Sequence, residues 1–298
     1  MGKANTGKSK KDAGPADPAE LAGLLRVGPG FELGSVDPDS TPGFNGDKAA
    51  GEKARLAGAD QLSELQERLF AASRGSSRST RSVLLVVQGM DTSGKGGITR
   101  HVVGAVDPQG VQFAAFKAPT PEEQAHDFLW RIRPHAPKPG MLGVFDRSHY
   151  EDVLIVRVHG LVPEATWQQR YDLINGFEGS LAQAGTAIVK VMLHISPQEQ
   201  LTRLAERLTR PDKYWKYNPG DITEHQFWDA YQEAYQAALT RCSTDSAPWF
   251  VVPANRKWYT RWAVQHLLLD ALAGINPQWP PPDFDLDTER KRLAALSE

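Results

Sequence analysis

The stretch Gly89-Met-Asp-Thr-Ser-Gly-Lys-Gly-Gly97 has the residue types and spacing of a loop that wraps a phosphate. Its glycines let backbone N–H groups converge on an anion, Lys95 can reach the charge they gather, and the dipole of a following helix favours it. Loops of this kind usually carry Ser or Thr after the lysine, where the hydroxyl touches Mg²⁺. Gly96 stands there instead, so another group has to hold the metal. Two carboxylates offer themselves. Asp91 lies inside the loop, and Asp146 ends the apolar run 141–145 as a metal-holding Asp ends a Walker B strand. A carboxylate in an anion-binding loop repels its ligand unless a cation intervenes. Asp91 therefore makes sense on Mg²⁺ or as proton acceptor for an incoming nucleophile, and a helix cap is the plainer alternative. Arg147, beside Asp146, adds a second phosphate-directed group.

A cationic cluster follows downstream, with Arg203, Arg207, Arg210, Lys213 and Lys216 set against Glu206 and Asp212. The three arginines fall at i, i+4 and i+7, one stripe of a helix that begins at Ser196 and stops at Pro211. Such a segment can close over phosphates as a mobile lid and offset transition-state charge; an ion-paired solvent face is the alternative. The literal pattern G-x-x-x-x-G-K-[ST] also occurs, at Gly2-Lys-Ala-Asn-Thr-Gly-Lys8-Ser9, but no apolar strand precedes it and it is expected to be fortuitous.

These residues need a frame. The runs 82–88, 111–117, 141–146, 186–195 and 249–252 read as buried strands, and helical segments separate them. Thr120-Pro-Glu-Glu123, Ser196-Pro-Gln-Glu199 and, more weakly, Thr223-Glu-His-Gln226 carry helix-start signals. Strand–helix alternation predicts an α/β fold, a five-stranded parallel sheet with helices on both faces. Residues 1–18 read as a flexible N-terminal arm and 19–59 as an irregular lead-in, with Phe31 and Phe44 as anchors. Residues 60–275 read as the main domain, with a lid at about 203–222, and 276–298 as a Pro-rich tail along the surface. Tyr231, Trp228 and Trp249 read as packing aromatics, and His149 as structural.

Composition narrows the partners. With 34 basic and 36 acidic residues among 298, the chain is near neutral, which argues against a protein that coats nucleic acid and makes any polyanion site a local one. No run approaches a membrane span, and no apolar stretch follows the charged start as a secretory signal requires. The single cysteine, Cys242, excludes an intrachain disulfide and fits a reducing cytoplasm.

The loop 89–97, Phe145-Asp-Arg-Ser-His-Tyr-Glu151, Arg203 to Arg207 followed by Pro211-Asp-Lys-Tyr-Trp-Lys216, and Ala247-Pro-Trp249 with Val252-Pro-Ala-Asn-Arg-Lys257 together resemble the polyphosphate kinase 2 family. The resemblance implies a thymidylate-kinase-like P-loop fold with a helical basic lid, Mg²⁺ as cofactor, and a homodimer or homotetramer. It implies phosphoryl transfer between inorganic polyphosphate and ADP, AMP or ATP, with guanine nucleotides left open. His149-Tyr-Glu151 and Asn218-Pro-Gly-Asp221 resemble members that act on both AMP and ADP, many of which carry Asn where Asp146 stands. Carried over residue by residue, Asp91, Lys95, Asp146, Arg147, Arg203 and Arg207 are the expected catalytic set, with Asp91 and Asp146 on the metal. Gly89, Met90, Thr92, Ser93, Gly94, Gly96, Gly97, Glu151, Arg210, Lys213 and Lys216 are the expected phosphate and nucleotide contacts. A P-loop kinase that draws on ATP for a nucleoside monophosphate, or a nucleotide-sensing module, would share sheet and loop.

If the pattern at Gly2 to Ser9 is fortuitous, deleting the arm, residues 1–18, leaves turnover within about threefold, less than about 1 kcal/mol on the barrier. Steady-state rates of the two chains check this; loss of nucleotide binding would mean that Gly89–Gly97 is not the only phosphate loop.

Overall fold

Ser82–Gln88 (β1) is buried at every position, as a strand covered on both faces must be. Around it lie Val111–Ala115 (β2), Leu142–Asp146 (β3), Thr186–His194 (β4) and Trp249–Pro253 (β5). All pairings are parallel, and the strand order is β2-β3-β1-β4-β5. This is a computed structural model, and it describes residues 15–75 and 78–296. The strand that comes first in the chain sits in the middle of the sheet, with Val87 level with Asp146 and Gln88 level with Met192. The segments after β1, β3, β4 and β5 therefore leave from one edge, where open α/β sheets bind ligands.

The helices are Pro18–Leu25 (α1), Lys48–Ala57 (α2), Ala59–Ala72 (α3), Lys95–His101 (α4), Pro121–Gln124 (α5) and Ile155–Val158 (α6). They continue with Glu164–Gln183 (α7), Pro197–Thr209 (α8), Gly220–His225 (α9), Trp228–Cys242 (α10), Lys257–Ile275 (α11) and Leu286–Ala294 (α12). Helix α11 is apolar nearly all round, because it packs on β1, β4 and β5 while α1 to α4 pack on it. Helices α7 and α10 pair with each other, and α7 covers β4. Among the described residues no helix is long and apolar enough to cross a membrane.

Several expectations change. The lead-in is not irregular throughout, since it contains α1 and α2. It is also tied to the sheet: Val27 N–H donates to the Trp249 carbonyl at 2.8 Å and Arg26 bridges Phe250 antiparallel, which closes the β5 edge. Phe44 anchors it, with its ring edge-on to Trp258 and Trp262 at 5.3 and 4.8 Å. The arm ends sooner than residue 18, because Asp17 caps α1 through Glu20 N–H at 2.8 Å and Ala16 N–H donates to Gly43. The pattern at Gly2 to Ser9 lies outside the described residues. The capping box at Thr120 forms, but α5 is a single turn. Ser196 caps α8, while Thr223 caps nothing: it lies within α9, which starts at Gly220 without a side-chain cap. Finally, α8 ends at Thr209 and Arg210 is extended, so the arginine stripe stops at Arg207. The tail does lie on the surface, with Arg68 over the Trp279 ring and Pro280 against Gly75.

One polar cluster sits deep in this core. Lys190 of β4 is fully buried, and its Nζ donates to the Tyr150 hydroxyl (2.9 Å), the Cys242 carbonyl (2.6 Å) and the Glu178 carboxylate of α7. Glu178 also accepts from Tyr150 and His149, at 2.9 and 3.0 Å. Burial alone would raise the Glu178 pKa, but Lys190 and His149 outweigh it and hold the carboxyl below its usual range. Lys190→Met strands that carboxylate and is expected to cost about 3–5 kcal/mol in urea unfolding; Lys190→Met with Glu178→Leu recovers part of it. Equal losses in the single and double variants would show that the charge pair is not what matters.

Candidate functional site

The turn out of β1 is made by backbone conformations that few side chains allow. Gly89, Thr92 and Gly94 have φ of +148°, +64° and +117°. A Cβ on Gly89 would lie 2.7 Å from both the Leu193 carbonyl and Ser93 Oγ, so only glycine fits. Thr92 is held in the left-handed region at a cost of about 1–3 kcal/mol, which the surroundings must offset.

Helix α8 does so. Arg203 Nε donates to Glu199 (2.6 Å), and its two terminal nitrogens donate to the carbonyls of Thr92 (2.9 Å), Ser93 (3.0 Å), Ala254 (2.6 Å) and Asn255 (2.9 Å). Three residues earlier on the same face, Gln200 Nε2 donates to the Asp91 carbonyl at 3.0 Å. Three successive carbonyls are thus drawn back toward α8. In a trans peptide N–H points opposite to C=O, so the N–H groups of Thr92 and Gly94 are aimed away from the helix. Arg203, expected among the catalytic cations, is corrected here: it is 4% exposed, lies behind the loop, and has no donor left for a phosphate.

Lys95 lies across the loop, donating to the carbonyls of Gly89 (2.7 Å) and Met90 (3.3 Å). Burial lowers its pKa, and the charge of Asp91 resists that. Arg147, at φ +62° directly after β3, donates to Asp91 Oδ1 at 2.9 Å. Burial pushes the Asp91 carboxyl up, but Lys95 and Arg147 outweigh it and leave it below the usual carboxylate range.

Two cavities meet at this pair, since Asp91 and Arg147 line both. The larger, about 630 Å³, takes Thr92, Ser93, Gly94, Lys95, Gly96 and Gly97 from the loop, Asp146 from β3, and Arg207, Lys213 and Lys216 from the lid. Thr92 Oγ1 and Ser93 Oγ are buried there without a protein partner. The smaller, about 230 Å³, takes Gly89, Met90 and Glu151, and beyond them Asn218, Asp221, Glu224, Tyr231 and Tyr235. Burial raises the pKa of Glu151, and Arg147 and Lys95 oppose it. The lid is braced from within, as Arg207 donates to Asp221 (2.8 Å) and to the Lys216 carbonyl (3.0 Å). Arg210 is not brought in: it is exposed, paired with Asp212 at 2.9 Å, and outside both cavities, because the helix ends before it.

The larger cavity also holds basic residues that the sequence reading passed over: the cations Arg100 on α4, Lys117 past β2, and Lys257 and Arg261 on α11, with the imidazole of His101 beside them. Their signal was positional, since each follows the carboxyl end of a strand. Burial, with Arg261, Arg55 and Arg100 close by, pushes His101 below the ordinary imidazole range. The smaller cavity was missed because Tyr231 reads as a packing residue; its hydroxyl donates to Glu224 at 2.7 Å.

Asp91 and Asp146 are the carboxylates of the larger cavity, and among the described residues no group of three or more His, Cys, Asp or Glu forms a metal cage. Mg²⁺ keeps several waters and takes one or two carboxylates together with substrate phosphates, so this donor set fits it.

A model of the polyphosphate kinase 2 family matches residues 52–280. The chain is 47% identical over 253 residues, 85% of its length and 92% of the relative's, to an AMP/ADP-polyphosphate phosphotransferase of Meiothermus ruber. It is 38% identical over 270 residues, 86% of its length and 91% of the relative's, to an ADP-polyphosphate phosphotransferase of Rhodopseudomonas palustris. Among solved structures it is similar to polyphosphate kinase 2 from Arthrobacter aurescens, with a TM-score of 0.90, 55% identity, and coverage of 95% of this chain and 98% of that one.

If Arg203 positions the loop, Arg203→Met leaves the carbonyls of Thr92, Ser93, Ala254 and Asn255 without their donors and costs about 3 kcal/mol or more. Arg203→Lys recovers little, since a point charge cannot span both loop and strand. Denaturant midpoints check this; an unchanged midpoint with lost turnover would return Arg203 to the catalytic set.

Proposed function

Because the chain belongs to the polyphosphate kinase 2 family, we propose that it transfers phosphoryl groups between inorganic polyphosphate and adenine nucleotides, with both ADP and AMP as acceptors. The observation that carries this is the meeting of two unlike cavities at Asp91 and Arg147. The larger, rich in Lys and Arg, suits a chain of phosphates. The smaller offers the carboxylates of Glu151, Asp221 and Glu224 and two tyrosines, which suit the hydroxyls and amines of a nucleoside. Members named for both AMP and ADP, such as that of Meiothermus ruber, support the acceptor range.

In this reading the terminal phosphate oxygen of the nucleotide attacks the end phosphorus of the polymer in line, and the anhydride bond behind it breaks. Lys95, Arg147 and the lid cations Arg207, Lys213 and Lys216 hold the phosphates and offset the charge that develops. The loop amides bind an oxygen opposite Lys95. Mg²⁺, held by Asp91 and Asp146, would neutralise phosphate oxygens and fix their orientation. A homodimer or homotetramer in the cytoplasm belongs to the same proposal.

The test is ATP formation from ADP, Mg²⁺ and long-chain polyphosphate with no other donor. Asp91→Asn is expected to lower it by several orders of magnitude with little change in melting temperature, while nucleotide affinity without Mg²⁺ holds or improves. Phosphorylation only when ATP is the donor would favour a nucleoside monophosphate kinase, and near-wild-type transfer by Asp91→Asn would remove that residue from the machinery.

A further inference from the structure

We infer that Gln200 and His225 join the lid to the phosphate loop, so that a histidine outside both cavities positions Asp91. Gln200 is fully buried in the first turn of α8. One end of its amide meets the Asp91 carbonyl at 3.0 Å and the other meets His225 Nδ1 at 2.6 Å. A carbonyl can only accept, so Nε2 must face Asp91 and Oε1 must face the imidazole. Oε1 in turn can only accept, so Nδ1 carries the proton. The link leaves no freedom of tautomer or amide orientation, and it has the same polarity whether the ring is neutral or charged.

The two ends are the parts that have to act together. His225 closes α9, the helix that also carries Asp221, the brace of Arg207, and Glu224, a wall of the smaller cavity. Asp91 is followed by Thr92 in its left-handed conformation, so the peptide between them has one working orientation. Arg203 fixes the next two carbonyls but donates nothing to α9, whereas Gln200 contacts both. Neither Gln200 nor His225 lines either of these two cavities, so both act by positioning.

The link rests on the proposed transfer only for its kinetic readout. In the free protein, His225→Phe removes the donor at Nδ1, while His225→Asn keeps an N–H near that place. Amide hydrogen exchange in residues 89–97 is expected to rise about tenfold in His225→Phe, although the substitution is on the lid, and to stay within about threefold of wild type in His225→Asn. In the polyphosphate assay kcat falls about tenfold in His225→Phe, with KM for ADP within about threefold. Adding Gln200→Met causes no loss beyond the larger single effect. Exchange changes confined to α9, equal behaviour of the Phe and Asn variants, or multiplying losses in the double variant would each overturn the link. If Gln200→Met does not fold, the two His225 variants decide it. If the wild type makes no ATP from polyphosphate, the proposed function fails, and the exchange data still settle the link.

Discussion

The site depends on the backward pull on the carbonyls of Asp91, Thr92 and Ser93. A loop that binds anions must turn its N–H groups outward, and it can do so stably only if the carbonyls behind them are satisfied. Here α8 supplies the partners, Gln200 for the first and Arg203 for the next two. Arg203 then continues to Ala254 and Asn255 at the end of β5. The loop is thereby referenced to a strand two places away in the sheet, and its left-handed Thr92 is over-determined from outside the loop itself.

A second anchoring system supports the turn after β3. Asp146 and Arg147 precede Ser148, His149 and Tyr150, which are all fully buried. Ser148 accepts from Gln88 of β1, and His149 and Tyr150 enter the Lys190–Glu178 cluster. Arg147, at a positive φ, stands between the end of β3, where its own N–H donates to the Val87 carbonyl at 3.1 Å, and this fixed turn, and its side chain meets Asp91. Loop and turn have separate anchors, and the Asp91–Arg147 ion pair of 2.9 Å joins their side chains.

Much of this was legible in the chain. The strands show as apolar runs because a parallel sheet buries both faces, and the loop shows because glycines at 89, 94, 96 and 97 have no other economical use around a lysine. Arg203 was misplaced because its spacing from Arg207 says that both lie on α8, not which of them faces backbone and which faces cavity. The helices of the lead-in were masked by glycines and prolines, although Asp17-Pro18-Ala-Glu20 carries the start signal of α1. Lys117, Lys257 and Arg261 are ordinary surface types in sequence, and only the strand order brings them to one cavity.

The wall that the two cavities share has a consequence for changing what the molecule accepts. Asp91 and Arg147 belong to both chambers, so remodelling either residue to admit a different acceptor also alters the chamber on the other side. The far wall of the smaller chamber, at Asn218, Tyr231 and Tyr235, touches one chamber only. On the proposed assignment of the smaller chamber to the nucleotide, acceptor range can drift there, by inheritance or by engineering, while the phosphate side stays as it is.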